Sequence, residues 1–271
     1  MKIYCILFDT YPRLEEIENA FRDKGLHYGD CITNSFTTST QASMFTGKTP
    51  SEMYRGGIAY HGTYKHFADK ETWNAKVLFN NLPEDWKIHL HGNKSNYDHI
   101  TKEVCGIDRE FSYYIHEDGV DEKKFLQKMK DLPSDENHFI SIVYSNYHQV
   151  PAYDVRKDYS GTPAHDDAVN FAVDMIKEID FTEENCMFWL FSDHGIPHNV
   201  DHLMSPPDSW LSWVSVTDNI KNKVVDKDVI YIGDFYDTVL SRALGTEQTE
   251  FDVLSPLDTN RIYVAEDARA N

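Results

Sequence analysis

The chain has 271 residues, enough to bury a large hydrophobic core without disulfides or a structural metal. Apolar residues make up 41% of it and charged residues 26%, an ordinary composition for a globular protein. Asp and Glu outnumber Lys and Arg by 45 to 26, which gives a formal net charge of −19. Binding to nucleic acid or to an anionic membrane needs a basic surface, so neither is expected.

Six buried strands are predicted from near-continuous apolar runs, at 3–8, 88–90, 139–144, 187–191, 213–216 and 229–232. Helical spacing of apolar residues predicts helices at 14–24, 72–82, 121–132, 164–179 and 235–244, the last ended by Gly245. Strands that alternate with helices predict a three-layer α/β/α sandwich with a largely parallel central sheet. Because no Pro-, Gly- or Ser-rich linker divides the chain, we expect a single domain over residues 1–271.

The sequence shows no targeting signal. The first apolar run, 3–8, stops at Asp9 and is shorter than the core of a signal peptide, and no stretch approaches the ~20 apolar residues that span a bilayer. The four cysteines lack C-x-x-C spacing, and Cys5 and Cys186 lie within apolar runs, which predicts buried free thiols rather than disulfides. We therefore expect a cytoplasmic protein that is not bound to a membrane.

Reactive side chains follow three of the predicted strands. Asp9 and Thr10 follow the first, 145–148 follows the third, and the stretch 192–195 (Ser-Asp-His-Gly) ends the fourth. Ligands of open α/β sheets bind at the carboxyl ends of the strands, so these side chains are expected to converge at one edge. A carboxylate beside an imidazole suits Zn or Mn, although each stretch alone is also typical of an ordinary turn.

Four hydroxyl residues, 37–40, open a predicted short helix that ends at Gly47. A hydroxyl at a helix N-terminus lies near unpaired backbone N–H groups and the positive end of the helix dipole. Both favour an alkoxide or a bound anion. The same pattern is expected of a simple Ser/Thr cap, so the segment by itself leaves both interpretations open.

Taken in order, these motifs resemble the alkaline phosphatase/sulfatase superfamily. In that family a strand ends in a metal-binding Asp, a nucleophile opens a helix nine residues before a Thr-Gly, and a later strand ends in Ser-Asp-His-Gly or Ser-Asp-Asn-Gly. Residues 8–13 resemble the first motif, Thr37 stands nine residues before Thr46, and 191–195 matches the last motif. Weaker similarities at 92–94, 106–111, 147–153, 232–240 and 261–266 extend the resemblance over most of the chain.

The resemblance implies a metal-dependent hydrolase or transferase that acts on a phosphate ester. It implies one or two divalent ions, Zn or Mn in preference to Ca or Mg, and a small-molecule or glycan-linked anionic ester as substrate. The implied metal ligands are Asp9, Thr37, Asp193 and His194. The implied catalytic residues are Thr37 as nucleophile and His148 as acid or base, and the implied substrate-binding residues are His198, His202 and Lys94.

Other roles remain open for several of these residues. His148, His198 and His202 can equally be solvated loop residues, and Lys94 is one position away from the lysine of the family motif. Thr38 and Ser39 are alternative nucleophiles because each carries a hydroxyl on the same turn, whereas Thr40 is expected to support the turn by a local hydrogen bond. Arg13 is expected to pair with carboxylates rather than with substrate.

The sequence also departs from the sulfatase pattern. Sulfatases need Cys or Ser, oxidised to formylglycine, with Pro and Arg nearby, but Thr37, Ser39 and Gln41 stand at those positions. Threonine cannot become formylglycine, which favours the branch of the family that moves phosphoryl groups. The chain ends soon after Glu266, so the small C-terminal sheet of the family is expected to be shortened or absent.

Two alternative functions follow from the same motifs. One is a sulfate-ester or phosphonate hydrolase with the same metal ligands. The other is a binding domain that kept the fold and lost turnover, which the altered residues after Thr37 favour. The sequence sets neither the leaving group nor the oligomeric state.

Overall fold

The structure, a computed structural model, describes residues 1–33, 37–48, 77–92, 109–111, 113–115, 122–144, 163–194, 211–225 and 227–246. These residues form nine strands and six helices. The strands are β1 (Lys2–Phe8), β2 (Gly29–Ile32), β3 (Trp86–His91), β4 (Tyr113–Ile115), β5 (Asn137–Tyr144), β6 (Cys186–Ser192), β7 (Leu211–Asp218), β8 (Lys223–Val224) and β9 (Val229–Tyr231). The helices are α1 (Glu15–Asp23), α2 (Thr37–Thr46), α3 (Leu78–Asn81), α4 (Glu122–Lys130), α5 (Pro163–Glu178) and α6 (Asp234–Leu244).

The described strands form one sheet in the order β4-β3-β5-β1-β6-β7-β2-β9, with β8 beside β7. β1 lies between β5 and β6 and is parallel to both. β3 is parallel to β4 and β5, and β2 is parallel to β9. β7 runs antiparallel to β6, β2 and β8. The sheet is therefore largely parallel, as predicted.

The central strand β1 contributes to hydrophobic cores on both faces of the sheet, since successive side chains of a strand point to opposite faces. Its odd-numbered residues, from Ile3 to Leu7, belong to a cluster with residues of α2, α3 and α6. Its even-numbered residues, from Tyr4 to Phe8, belong to a second cluster with residues of α1, α4 and α5. Helices thus cover both faces, which confirms the three-layer α/β/α sandwich.

All six predicted strands are present, each with ends within two residues of the predicted ones. Four of the predicted helices match α1, α4, α5 and α6 equally closely. α3 lies within the helix predicted at 72–82, but Val77 directly before it is extended, so the predicted helix is too long at that end; residues 72–76 lie outside the described residues. Gly245 ends α6 in the left-handed conformation, with φ of 63°. β2, β4 and β8, of two to four residues, were not predicted, whereas the equally short β9 was predicted from the apolar run at 229–232.

Two expectations from composition can be compared with the structure. Cys5, Cys31 and Cys186 are buried and unpaired, as predicted, and Cys105 lies outside the described residues. Burial raises the pKa of Cys186 to about 12, so its thiol stays protonated at neutral pH. In the part of the chain that is described, no helix is both long and apolar enough to cross a membrane.

Candidate metal centre at the carboxyl edge of the sheet

The register of β1 and β6 brings Asp9 and Asp193 side by side. The two strands are parallel neighbours, and Phe8, the last residue of β1, pairs with Ser192, the last residue of β6. The next residue of each strand is an aspartate, and adjacent strands lie only about 4.8 Å apart. The backbone N–H of Asp9 also donates to the carbonyl oxygen of Tyr144 at the end of β5, at 2.9 Å. The predicted convergence of these strand ends is therefore observed for β1 and β6.

Asp9, Asp193 and His194 form a buried cluster of possible metal ligands. Their exposed fractions are 4%, 0% and 1%, and one ligand atom of each lies within 4.8 Å of those of the other two. Nε2 of His194 lies 3.6 Å from Oδ2 of Asp193, too far for a hydrogen bond. Burying carboxylates together is costly unless a cation or hydrogen bonds compensate their charge. The arrangement suits a divalent cation bound by mixed oxygen and nitrogen donors.

Thr10 contacts both carboxylates of this cluster. Its backbone N–H donates to Oδ1 of Asp193 at 3.0 Å, and its hydroxyl donates to Oδ1 of Asp9 at 2.8 Å. Oδ1 of Asp193 accepts a second hydrogen bond, at 3.1 Å, from the backbone N–H of His194. Oδ1 of Asp9 is therefore held by the turn after β1, and Oδ1 of Asp193 is held by the turns after both β1 and β6.

Serine side chains fix the turn that follows β6. The hydroxyl of Ser192 donates to the carbonyl oxygen of His194 at 3.0 Å, and the hydroxyl of Ser212 on β7 donates to the carbonyl oxygen of Ser192. Both serines are buried. The backbone that carries Asp193 and His194 is therefore held from the neighbouring strand as well as from its own.

Helix α2 begins at Thr37, where the sequence predicted a helix N-terminus, and a left-handed Gly47 with φ of 67° follows its last residue. Met44 and Phe45 anchor it in the core beneath the sheet. The hydroxyl of Thr40 donates to the backbone carbonyl oxygen of Asp193 at 2.8 Å. A local hydrogen bond was predicted for Thr40, and the structure shows a long-range one. It joins the first turns of α2 to the candidate metal centre.

Arg13 lies outside the metal cluster. Its guanidinium forms an ion pair with Asp30 of β2 and lies 4.9 Å from the centre of the Tyr28 ring. The prediction that Arg13 pairs with a carboxylate is borne out by this contact.

Two histidines that the sequence left without a role lie in packed surroundings. Nε2 of His89 lies 3.1 Å from Nδ1 of His138, and the centre of the His91 ring lies 4.8 Å from that of the Phe125 ring, at a tilt of 39°. His89 and His138 are on β3 and β5. These histidines pack beside the core, and none of them belongs to the cluster of Asp9, Asp193 and His194.

Several predicted site residues lie outside the described residues. They are His148, His198, His202 and Lys94, together with Gly195 of the Ser-Asp-His-Gly motif. The structure places the backbone of Thr37 at the start of α2 and leaves the position of its side chain open. The sequence analysis did not predict the contacts of Thr10, although Thr10 lies in the first motif, at 8–13. The available signal was a hydroxyl residue directly after a ligand-bearing strand end.

Comparisons with solved structures identify the fold. The lipoteichoic acid synthase LtaP from Listeria monocytogenes is 13% identical, with a TM-score of 0.57 over 93% of this chain and 74% of that one. The soluble domain of lipooligosaccharide phosphoethanolamine transferase A from Neisseria meningitidis is 12% identical, with a TM-score of 0.57 over 94% and 92%. A protein in the alkaline phosphatase superfamily from Vibrio parahaemolyticus is 12% identical, with a TM-score of 0.54 over 94% and 70%.

No protein-family model matches the sequence, and no curated protein is similar enough to count as a relative. The chain nevertheless has the fold of the alkaline phosphatase superfamily, as the sequence resemblance predicted.

Proposed function

We propose that this chain is a metal-dependent enzyme that transfers or hydrolyses a phosphate ester, with Thr37 as the nucleophile. The observation that carries the proposal is the buried meeting of Asp9, Asp193 and His194 at the carboxyl edge of the sheet. The fold supports it, because the phosphoethanolamine transferase and the lipoteichoic acid synthase share this fold over more than nine-tenths of the chain.

The donor set fits a small divalent ion. Ligand atoms around a tetrahedral ion with bonds of 2.0–2.2 Å lie about 3.3–3.6 Å apart. Oδ2 of Asp193 and Nε2 of His194 are separated by 3.6 Å, within that range. Thr37 would complete the set as the fourth ligand. When bound, the ion would lower the pKa of the threonine hydroxyl and polarise an oxygen of the phosphate.

The position of α2 supports Thr37 over its neighbours. Residues three apart share a face of an α-helix, and Thr40 on that face is hydrogen-bonded to Asp193. We infer from this spacing that position 37 faces the cluster as well, at the end of the helix where the dipole favours negative charge. Measured around the helix axis from Thr40, position 37 lies about 60° away, position 39 about 100° and position 38 about 160°.

In the proposed reaction, Oγ of Thr37 forms a bond to phosphorus while the bond to the leaving oxygen breaks. The threonine proton passes to solvent, and His148 gives a proton to the leaving oxygen. Water or an acceptor alcohol then attacks the phosphothreonine and frees Thr37. Lys94, His198 and His202 would bind the charged oxygens of the ester. The mechanism demands positioning and charge stabilisation more than covalent chemistry, as is usual for phosphoryl transfer.

The experiment compares the Thr37→Ala and Thr38→Ala variants with the wild type on aryl phosphate, phosphodiester and sulfate-ester substrates, after loading with Zn or Mn. We expect Thr37→Ala to lose about 10³-fold or more in turnover and Thr38→Ala far less, with little change in melting temperature in either. Intact-mass measurement should detect a phosphorylated intermediate in the wild type and none in Thr37→Ala.

Each alternative gives a different result in the same experiment. Faster turnover of the sulfate ester would assign the site to a sulfate-ester hydrolase. A stoichiometric bound metal without turnover on any substrate would indicate the binding domain. Near-normal turnover in Thr37→Ala, with loss in Thr38→Ala or Ser39→Ala, would move the nucleophile along the helix.

A further inference from the structure

Thr10 makes a two-point contact with the candidate metal centre that neither the motifs nor the fold comparisons assign. Its N–H and its hydroxyl each engage Oδ1 of a different aspartate, Asp193 at 3.0 Å and Asp9 at 2.8 Å. The residue is only 6% exposed, so these bonds are largely shielded from water. One side chain and its own amide therefore orient both carboxylates.

The backbone of Thr10 is unusual for its residue type. Its φ is 68°, in the left-handed region that a β-branched side chain rarely adopts. The other described non-glycine residues with positive φ are Asn185 and Asn222, and asparagine tolerates this region. A glycine would adopt this φ more easily but would have no hydroxyl for Asp9. The presence of threonine here, despite the strain, is explained by the hydroxyl.

We propose that Thr10 is a positioning residue that holds Asp9 and Asp193 in the orientation required by a divalent ion; this proposal rests on the proposed function. With Oδ1 of each aspartate bonded to Thr10, each carboxylate presents its other oxygen to the ion. Oδ2 of Asp193 already lies on the side of His194 Nε2, at 3.6 Å. One oxygen from each aspartate gives a low coordination number, which suits Zn better than Ca with its six to eight oxygen ligands.

Calorimetric titration of the chelator-treated protein with zinc chloride, and separately with calcium chloride, tests this role. Thr10→Ser keeps the hydroxyl, Thr10→Val keeps the branched shape without it, and Thr10→Gly removes both the hydroxyl and the strain. Thr238→Val is the matched control, because it removes a buried hydroxyl, bonded to the carbonyl of Asp234, on α6. Melting temperatures of the metal-free proteins are measured in parallel.

We expect Thr10→Ser and Thr238→Val to bind zinc within about threefold of the wild type. We expect Thr10→Val and Thr10→Gly to bind zinc 10–100-fold more weakly, about the loss seen when a residue that orients metal ligands is removed. Their preference for zinc over calcium should fall as well, since the carboxylate of Asp9, released from the hydroxyl, can bind through both oxygens. Relief of strain should leave the metal-free melting temperature of Thr10→Gly at or above the wild-type value.

Wild-type zinc affinity in both Thr10→Val and Thr10→Gly would overturn the positioning role and leave the metal centre standing. A Thr10→Gly variant that loses stability in proportion to affinity would also overturn it, because Thr10 would then serve only the fold. If Thr10→Val does not fold, Thr10→Gly decides alone. A wild-type protein that binds no divalent ion would overturn the proposed function, and the role of Thr10 with it.

Discussion

Replacing Asp193 by asparagine should convert a proposed metal ligand into a group that repels the metal, with almost no change in shape. Oδ1 of Asp193 accepts N–H groups from Thr10 at 3.0 Å and from His194 at 3.1 Å. Only the oxygen of an amide can accept these bonds, so the introduced amide must place its NH₂ group where Oδ2 now lies. That position faces Nε2 of His194. The substitution therefore removes one negative charge and turns two N–H donors toward the ion.

The expected loss in metal affinity is at least about 100-fold, the upper end of what second-shell changes cost. At a metal concentration well above both dissociation constants, that ratio corresponds to about 2.7 kcal/mol of stabilisation by the ion. For a protein of this size, the melting temperature would then rise on metal addition by about 5 to 10 °C less than in the wild type. Without metal, the effect of the substitution on the melting temperature should be absent or opposite. Asp193→Asn removes the repulsion between two carboxylates whose oxygens lie within 4.8 Å, so the variant should melt no lower than the wild type in chelator.

Thermal unfolding with chelator and with excess zinc measures both effects in one series. Asp174→Asn is the control, since it removes the same charge from a side chain that is 58% exposed on α5. Thr37→Ala should lose less affinity than Asp193→Asn, because a neutral hydroxyl is a weak ligand until it is deprotonated. If zinc raises the melting temperature of Asp193→Asn as much as that of the wild type, the reasoning is refuted. A lower melting temperature of the variant in chelator would show that Asp193 serves the fold instead.

Two further predictions concern the core away from the site. Arg242 and Asp218 form an ion pair of 2.6 Å between side chains with no exposed surface, so Arg242→Met should cost about 3 to 5 kcal/mol by leaving a buried carboxylate. Urea unfolding measures this, and Arg22→Met at an exposed pair should cost less than about 0.5 kcal/mol. Burial, with the neighbouring His138, lowers the pKa of His89 to about 4 from its ordinary 6.5. Between these two pH values the folded protein binds fewer protons than the unfolded chain. The free energy of unfolding should therefore fall as the pH is lowered from about 6.5 to about 4. The fall should be smaller in His89→Gln, and an unchanged pH dependence in that variant would contradict the assignment.

The central part of the fold was predictable because its strands carry their own signal. Residues 3–8 are apolar without interruption, and in the structure they are buried on both faces of the sheet. The short strands β2 and β4 lie near the edges of the sheet and were not predicted, and their pairing depends on neighbours far away in the chain. The same limit applies to β7, whose antiparallel direction cannot be read from an apolar run.

The candidate site was predictable in its residue types and not in its contacts. Asp9, Asp193 and His194 could be chosen because each follows a predicted strand and matches a motif. Their meeting depends on the pairing of Phe8 with Ser192, a register that no local pattern specifies. The hydroxyl of Thr10 directly after a strand end was visible in the sequence, but its left-handed backbone was not, since threonine is rarely found in that conformation, and its two bonds depend on that backbone.

The polar groups at this edge also bear on how the chain holds its stability. Two buried carboxylates, a buried imidazole and a strained threonine lie directly beyond the apolar strands β1 and β6. Each of these features costs free energy in the metal-free protein, because carboxylates lose hydration on burial and repel one another. An ion bound there would compensate the negative charges of the two carboxylates. Binding free energy at such a site becomes folding free energy, so the stability of the chain should rise with free metal concentration. The carboxyl edge of β1 and β6, which holds the proposed metal ligands, would then also be the part of the sheet that the metal stabilises.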